Sequence, residues 1–398
     1  MVDPAAALLP LLVAQDKLVT VFATAASLLG LPSKLGSLLV YGLLAWAVAV
    51  ALPVVLTRVG TRVGAIGAIW LSAFAVGVLI GQGSAQYYVA IATSLLIGLG
   101  WMTVAFAVRD YQLCRRYLYF TAPVMLLAAI IDLWSSSGEA AASATYSQDI
   151  AYRVLPAVLI FIDAAFSNRR VVNGALATAS AFVMLSAGAR GPLVIAALFV
   201  VARLVLHVRA SPRAALVTAW VGAAAVWVLA QSYFVILGSL NSVLDRAGLS
   251  TRAIEDLRGG TLFEDRARSQ LRDYTLSLID QHLFTGVGMS NERPILARLV
   301  GASADTDSFG WYPHNLFLEL WAQFGILLGT LLLVLLLGGI LRALIRVDDL
   351  DYRYLVLIFV GIGLLPLLFS ASYLSWPPFF GLVGLCLQRR PTASRRTA

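Results

Sequence analysis

The chain has 398 residues, 60% of them apolar and 13% charged, with a mean hydropathy of +0.85. A water-soluble domain carries about 25% charged and about 45–50% apolar residues, so one large soluble globule is excluded, and the apolar and aromatic content excludes disorder. The net charge of +8 would suggest nucleic acid on a soluble chain; on a polytopic membrane protein it reads as Arg and Lys gathered in inner loops, with no nucleic-acid partner.

A membrane-crossing helix needs about 20 apolar residues. Residues 5–31 are apolar but broken by Gln15, Asp16 and Lys17, which predicts an interfacial piece and then a first span near 17–31. Further spans are predicted near 36–56, 63–80, 87–108, 117–134, 153–167, 171–188, 191–207, 214–236, 314–341, 354–374 and 376–388. The expected fold is an all-α polytopic membrane protein of about 12 transmembrane helices, with about 11 as the alternative. The spans 153–167 and 376–388 are short and would tilt or thin the bilayer. Met1–Ala14 lacks the basic region and small-residue cleavage site of a signal peptide. Cys114 and Cys386 sit in no CxxC pair, so neither a disulfide nor a cysteine-held metal is expected.

Loop charge sets the orientation. Arg58 and Arg62, then Arg109, Arg115 and Arg116, then Arg169 and Arg170, then Arg203, Arg209 and Arg213, then Arg342, Arg346 and Arg353, and finally Arg389, Arg390, Arg395 and Arg396 fall on one side. The loops near 81–86, 135–152 and 371–376 hold no Arg or Lys. The positive-inside rule then places both termini in the cytoplasm of a multi-pass plasma-membrane protein. Three regions follow: N-terminal transmembrane helices over 1–236, a large extracytoplasmic loop over 237–312, and C-terminal helices with a basic tail over 313–398.

The large loop runs against the charge rule, with Arg246, Arg252, Arg258, Arg266, Arg268, Arg272, Arg293 and Arg298. One reading is solvation and local pairing with Asp245, Glu255, Asp256, Glu264, Asp265 and Asp273. The other is a docking surface for an anion at the outer leaflet. Thr261 with Glu264 fits a capping box, and Leu271, Tyr274, Leu278 and His282 mark an amphipathic helix that Gly286 would end. Arg268 and Arg272 share a face of it, and Arg266 points elsewhere. Two guanidinium forks suit a phosphate or diphosphate; pairing of Glu264 with Arg268 would leave only Arg272 for that task.

Arg190, in the turn Ser186-Ala187-Gly188-Ala189-Arg190-Gly191-Pro192, is a charge at an outer helix end. Such a residue either lines a cleft or snorkels to the interface. His314 and Asn315 open the next long span, where a histidine is either structural or a proton acceptor near neutral pH. Glu319 lies five residues on, off the His314 face. No HExxH, GxSxG or phosphate-loop pattern is present. Asp305-Thr306-Asp307 is only a weak DxD signal, and Asp348-Asp349-Leu350-Asp351 is expected to be solvated or paired with Arg346 and Arg353.

Three segments resemble the O-antigen ligase and polymerase superfamily of bacterial envelope enzymes. They are Pro313-His314-Asn315-Leu316 through Gly325, the turn ending Ala189-Arg190-Gly191, and the stretch from Arg268 through Tyr274 to Gly286-Val287-Gly288. The loop arginine of the family falls on Arg266, Arg268 or Arg272, and Ala189 stands where the family has a serine directly before its mid-chain arginine. The resemblance implies a metal-independent, GT-C-like glycosyltransferase without a cofactor. Its donor would be a glycan on a polyprenyl diphosphate, and its acceptor a hydroxyl on a glycan, lipid or polymer. His314 would be the general base; Arg190 with Arg266, Arg268 or Arg272 would bind the diphosphate; Asn315, Gly286 and Gly288 would support the site. A polymerase of lipid-linked repeats and a transporter or flippase of lipid-linked sugars are the alternatives; a transporter would favour charged or broken helices at mid-bilayer.

Overall fold

The computed structural model describes residues 3–81, 83–140, 148–167, 170–187, 190–210, 266–302 and 310–388, with isolated positions 238, 242 and 246. The predicted span 214–236, Thr261 and Glu264, Arg252 and Arg258, Asp305-Thr306-Asp307, Arg169, Arg213 and the basic tail lie outside the described residues.

The described residues form helices and no strand: α1 (Pro4–Leu28), α2 (Ser33–Arg58), α3 (Thr61–Ile80), α4 (Ala85–Ala107), α5 (Tyr111–Ala140), α6 (Gln148–Ser167), α7 (Arg170–Ser186), α8 (Arg190–Ala210), α9 (Arg266–Gln281), α10 (Glu292–Leu299), α11 (Leu316–Arg346), α12 (Leu350–Phe369) and α13 (Pro377–Cys386). Eight helices among the described residues are long and apolar enough to cross a membrane: α1 to α6, α11 and α12. The helices α7 and α13 are shorter and apolar. One expectation is corrected at the start. Gln15, Asp16 and Lys17 do not break the chain into an interfacial piece and a span; they lie within the continuous α1. Polar side chains in a helix leave its backbone ladder intact, so they alone do not end it.

The chain divides into two compact units. The first takes Met1–Leu9, Ala49–Gln112 and Glu264–Ala398; the second takes Pro10–Val48 and Leu113–Phe263.

In the first unit α13 lies against α4 at small residues. A Cβ on Gly384 would meet the Met102 carbonyl oxygen at 2.2 Å, and one on Gly98 would meet the Phe380 ring at 2.4 Å. Close backbone approach of this kind is how apolar helices associate where no water drives them together. One turn of α12, Val360–Leu364, is a π-helix, and the indole N–H of Trp376 donates to the Ile362 carbonyl within it at 2.6 Å. Loop ends gather at the two ends of these helices. At one, the Asp3 carboxylate binds Arg58 (2.6 Å) and the N–H groups of Arg109 and Asp110, while the Gln388 amide donates to the last carbonyls of α4. At the other, Asn291 bonds the Gly77 carbonyl and Tyr87 bonds the Ser290 carbonyl.

In the second unit α6 is the buried helix, from Ile150 to Ala164. Asp163 is fully buried and takes Arg115 of α5 at 2.7 Å on one oxygen and Arg203 of α8 at 2.8 Å on the other. Tyr119 also donates to Asp163, at 2.8 Å. Arg203, inside the expected span 191–207, and Arg115, expected just before the span 117–134, each lie within a helix, paired. Burial of charge requires such pairing.

Candidate active site

The site is built around a break in α11. Gly325 has φ 74° and ψ 165° inside that helix, a conformation essentially confined to glycine. The break exposes carbonyls that an unbroken helix would use. The turn after α9 takes them: Val287 N–H donates to Ala322 O (2.8 Å) and Gly288 N–H to Gln323 O (3.0 Å), while Ile326 N–H donates to Leu283 O (2.9 Å). Gly286 (φ 63°) and Gly288 (φ 87°) turn the chain to make this fit. A Cβ on Gly286 would meet the Gln323 carbonyl oxygen at 2.3 Å. The supporting role expected for these two glycines is thus one of backbone docking.

The docked turn delivers α10 beside α11. Its first two residues, Glu292 and Arg293, are fully buried, as are Glu319 and Gln323 of α11. Arg293 lies 3.6 Å from both Glu292 and Glu319 and donates to the Ser372 hydroxyl. Ser372 in turn donates to Glu319, and Tyr373 donates to Gln323. Burial pushes the Glu292 carboxyl above the usual carboxylate range, against the pull of the Arg293 charge. Burial alone would lower the Arg293 guanidinium, but Tyr87, Glu319 and Glu292 around it raise it further, so it stays a cation.

His314 sits on the edge of this cluster. Its backbone is left-handed, with φ 53°, and Ser290 at φ 68° is the other non-glycine residue in that region among the described residues. Each costs on the order of 1–3 kcal/mol, and such outliers concentrate at functional sites. Three contacts hold the His314 conformation. Asn315 caps α11, its side-chain oxygen accepting from Phe317 N (3.0 Å) and Leu318 N (3.3 Å). The Tyr312 ring packs on the imidazole with centroids 4.2 Å apart. Nδ1 of His314 lies 3.0 Å from the Ser370 carbonyl oxygen, which also accepts the Tyr312 hydroxyl at 2.7 Å. A carbonyl has no proton to give, so Nδ1 carries the hydrogen, and in the neutral ring the lone pair is on Nε2. That is the tautomer a base needs when its outer nitrogen meets a hydroxyl.

His314, Asn315, Gly286 and Gly288 all lie in the first unit, His314 and Asn315 at the start of α11 and the two glycines in the turn docked at its break. Arg266 and Arg268 open α9, but their side chains lie outside the described residues. Arg272 is exposed and 3.6 Å from the carboxylate of Asp273, in keeping with the solvated, locally paired reading. The buried stripe of α9 is Leu271, Thr275, Leu278 and Ile279; His282 is exposed, and the helix ends at Gln281, not at Gly286. Arg190 opens α8 in the second unit and is half-buried. Asp349 caps α12 and Asp348 pairs with Arg353 at 3.8 Å. Among the described residues no group of three or more His, Cys, Asp or Glu is placed to hold a metal. The sequence reading passed over Arg293 as one loop cation among eight and set Glu319 aside as facing away from His314. The signal available was Glu319 itself, a carboxylate in an otherwise apolar span, which demands a partner.

Comparison with curated proteins and with solved structures returns no match. Residues 175–333 of this integral membrane chain, a stretch that holds Arg190, α9, the Gly286-Val287-Gly288 turn and His314, match the model of the O-antigen ligase family, which supports the likeness to the O-antigen ligase and polymerase superfamily.

Proposed function

We propose that the protein transfers a glycan from a polyprenyl-diphosphate donor to an acceptor hydroxyl on the outer face of the plasma membrane, with both termini cytoplasmic. The single observation that carries this reading is His314, held with Nδ1 3.0 Å from the Ser370 carbonyl oxygen, a contact that in the neutral ring puts the lone pair on Nε2. The acceptor oxygen attacks the anomeric carbon and its proton passes to Nε2. The bond from that carbon to the diphosphate breaks, and the electron pair leaves with the diphosphate. General-base assistance of this kind is worth about 10²–10⁴ in rate. An arginine of the loop helix, Arg266, Arg268 or Arg272, receives the charge on the leaving group, and each charged hydrogen bond strengthened there contributes about 1.5–3 kcal/mol. No step asks for a metal or a cofactor. The polyprenyl tail lies among the spans, in lipid.

A transporter would use a broken helix to line a path. The break in α11 does not favour that reading, because the carbonyls of Ala322 and Gln323 that it releases accept from Val287 and Gly288. The test is mass spectrometry of envelope glycolipids in a deletion strain. Long glycans accumulated on polyprenol at the outer face indicate a ligase, and single repeats there indicate a polymerase. Lipid-linked sugars confined to the inner leaflet would overturn the transferase reading in favour of transport.

A further inference from the structure

Arg293 is fully buried, which removes it from the set of arginines that meet the donor. It nonetheless lies against the Tyr312 ring, one support of His314, and bonds a residue close in sequence to Ser370, another. Its guanidinium carbon lies 5.0 Å from the centroid of the Tyr312 ring, and that ring packs on the imidazole at 4.2 Å. Its Nη2 donates to Ser372, two residues from the carbonyl that holds Nδ1. The guanidinium is itself fixed between two carboxylates from different helices, Glu292 of α10 and Glu319 of α11, each at 3.6 Å. A planar, permanently charged fork bound on several edges is suited to lock two segments in register.

We propose that Arg293 is a positioning residue for His314: through Ser372 and the Tyr312 ring it fixes the carbonyl and the aromatic face that set the orientation and tautomer of the imidazole. The inference rests on the reading of His314 as the base and adds a residue class to it. The fully buried Glu292–Arg293–Glu319 cluster is a bolt, and the reacting groups are on its far side. Among the described residues, the charged and titratable groups on the elements packed at the imidazole include Tyr312 directly, and Arg293, Glu292, Glu319 and Tyr373 behind it.

The direction of the effect follows from hydrogen bonding. A carbonyl accepting from Nδ1–H favours the imidazolium over the neutral ring. Loosening that contact makes His314 a weaker base and moves its protonation to lower pH. The probe is diethyl pyrocarbonate, which acylates neutral imidazole, with peptide mass spectrometry separating His314 from His207 and His282. The full-length protein in detergent is compared as wild type, Arg293→Met, Ser372→Ala and Tyr312→Phe. Turnover is followed in parallel with lipid-linked glycan extracted from the deletion strain.

In the variants the pH midpoint of His314 acylation and the acid limb of kcat are expected to move together to lower pH. The value of kcat should fall on the order of tenfold, as for one lost orienting hydrogen bond, with donor KM unchanged. Should Arg293→Met fail to insert, Ser372→Ala and Tyr312→Phe decide the matter, since each removes one hydroxyl. An unmoved midpoint with wild-type kcat in these variants overturns the inference, as does a rise in donor KM at constant kcat. His314→Ala with full turnover would instead overturn the base reading, while the acylation midpoint still reports whether Arg293 orients the ring.

Discussion

Gly325 stands at φ 74° and ψ 165° in the break of α11, and a Cβ there would lie 2.3 Å from the Phe284 carbonyl oxygen. Gly325→Ala therefore imposes two costs. The backbone conformation costs an L-residue roughly 1–3 kcal/mol. The clash pushes the 283–288 turn away and weakens three backbone hydrogen bonds, Val287 to Ala322, Gly288 to Gln323 and Ile326 to Leu283, each worth about 0.5–1.5 kcal/mol. The sum is about 3–7 kcal/mol if all three are lost. Gly338→Ala in the same helix is the control, because a Cβ there meets nothing within 4 Å and alanine is the better helix former. Thermal unfolding of the purified variants in one detergent should show a fall of roughly 6 °C or more for Gly325→Ala and no fall for Gly338→Ala. Turnover at low temperature should also drop, because the turn carries Glu292 and Arg293 to the site. Equal melting temperatures for the two alanine variants would refute the docking role of the break.

Asp163→Asn strips the carboxylate from between Arg115 and Arg203 and should destabilise the second unit by about 3–5 kcal/mol, read as a lowered melting temperature with donor KM unchanged. Asp3 is raised by burial, but hydrogen bonds from the Arg109 and Asp110 N–H groups and from Arg58 outweigh this and hold it below the usual carboxylate range. Its contribution is therefore complete above its unfolded value near 3.8 and is lost as pH falls through the lower folded value. The stability difference between wild type and Asp3→Asn should be constant at neutral pH and shrink below about pH 4; a difference that grows on acidification contradicts the assignment. Treatment with a strong chelator should leave glycan transfer intact, and restoration of lost activity by added divalent cation would contradict the metal-free mechanism.

The positions of His314 and of the glycine turn were legible because each carries a local signature: a His-Asn pair opening a long apolar run, and closely spaced glycines after an amphipathic stripe. The break at Gly325 was not, since a glycine in an apolar helix reads as tolerated until another segment of the same chain, the 283–288 turn, is seen to need the exposed carbonyls. Arg293 was hidden for a related reason. A Glu-Arg pair in a polar loop looks solvated, and only the three-dimensional approach of α10 to Glu319 buries it. Arg203 was counted with the inner-side cations although it falls within the expected span 191–207, and its partner Asp163 stood in another apolar span and was asking for one. The all-helical, membrane-spanning class follows from hydropathy, which is local; the charge pairs that lock the helices join residues distant in sequence, and a single chain does not show them.

The decisive measurement is turnover of extracted lipid-linked glycan by purified His314→Ala, with insertion and melting temperature checked alongside. The account predicts a loss of roughly 10²–10⁴ in kcat with a folded, inserted protein and donor binding retained. Wild-type turnover by that variant would contradict it.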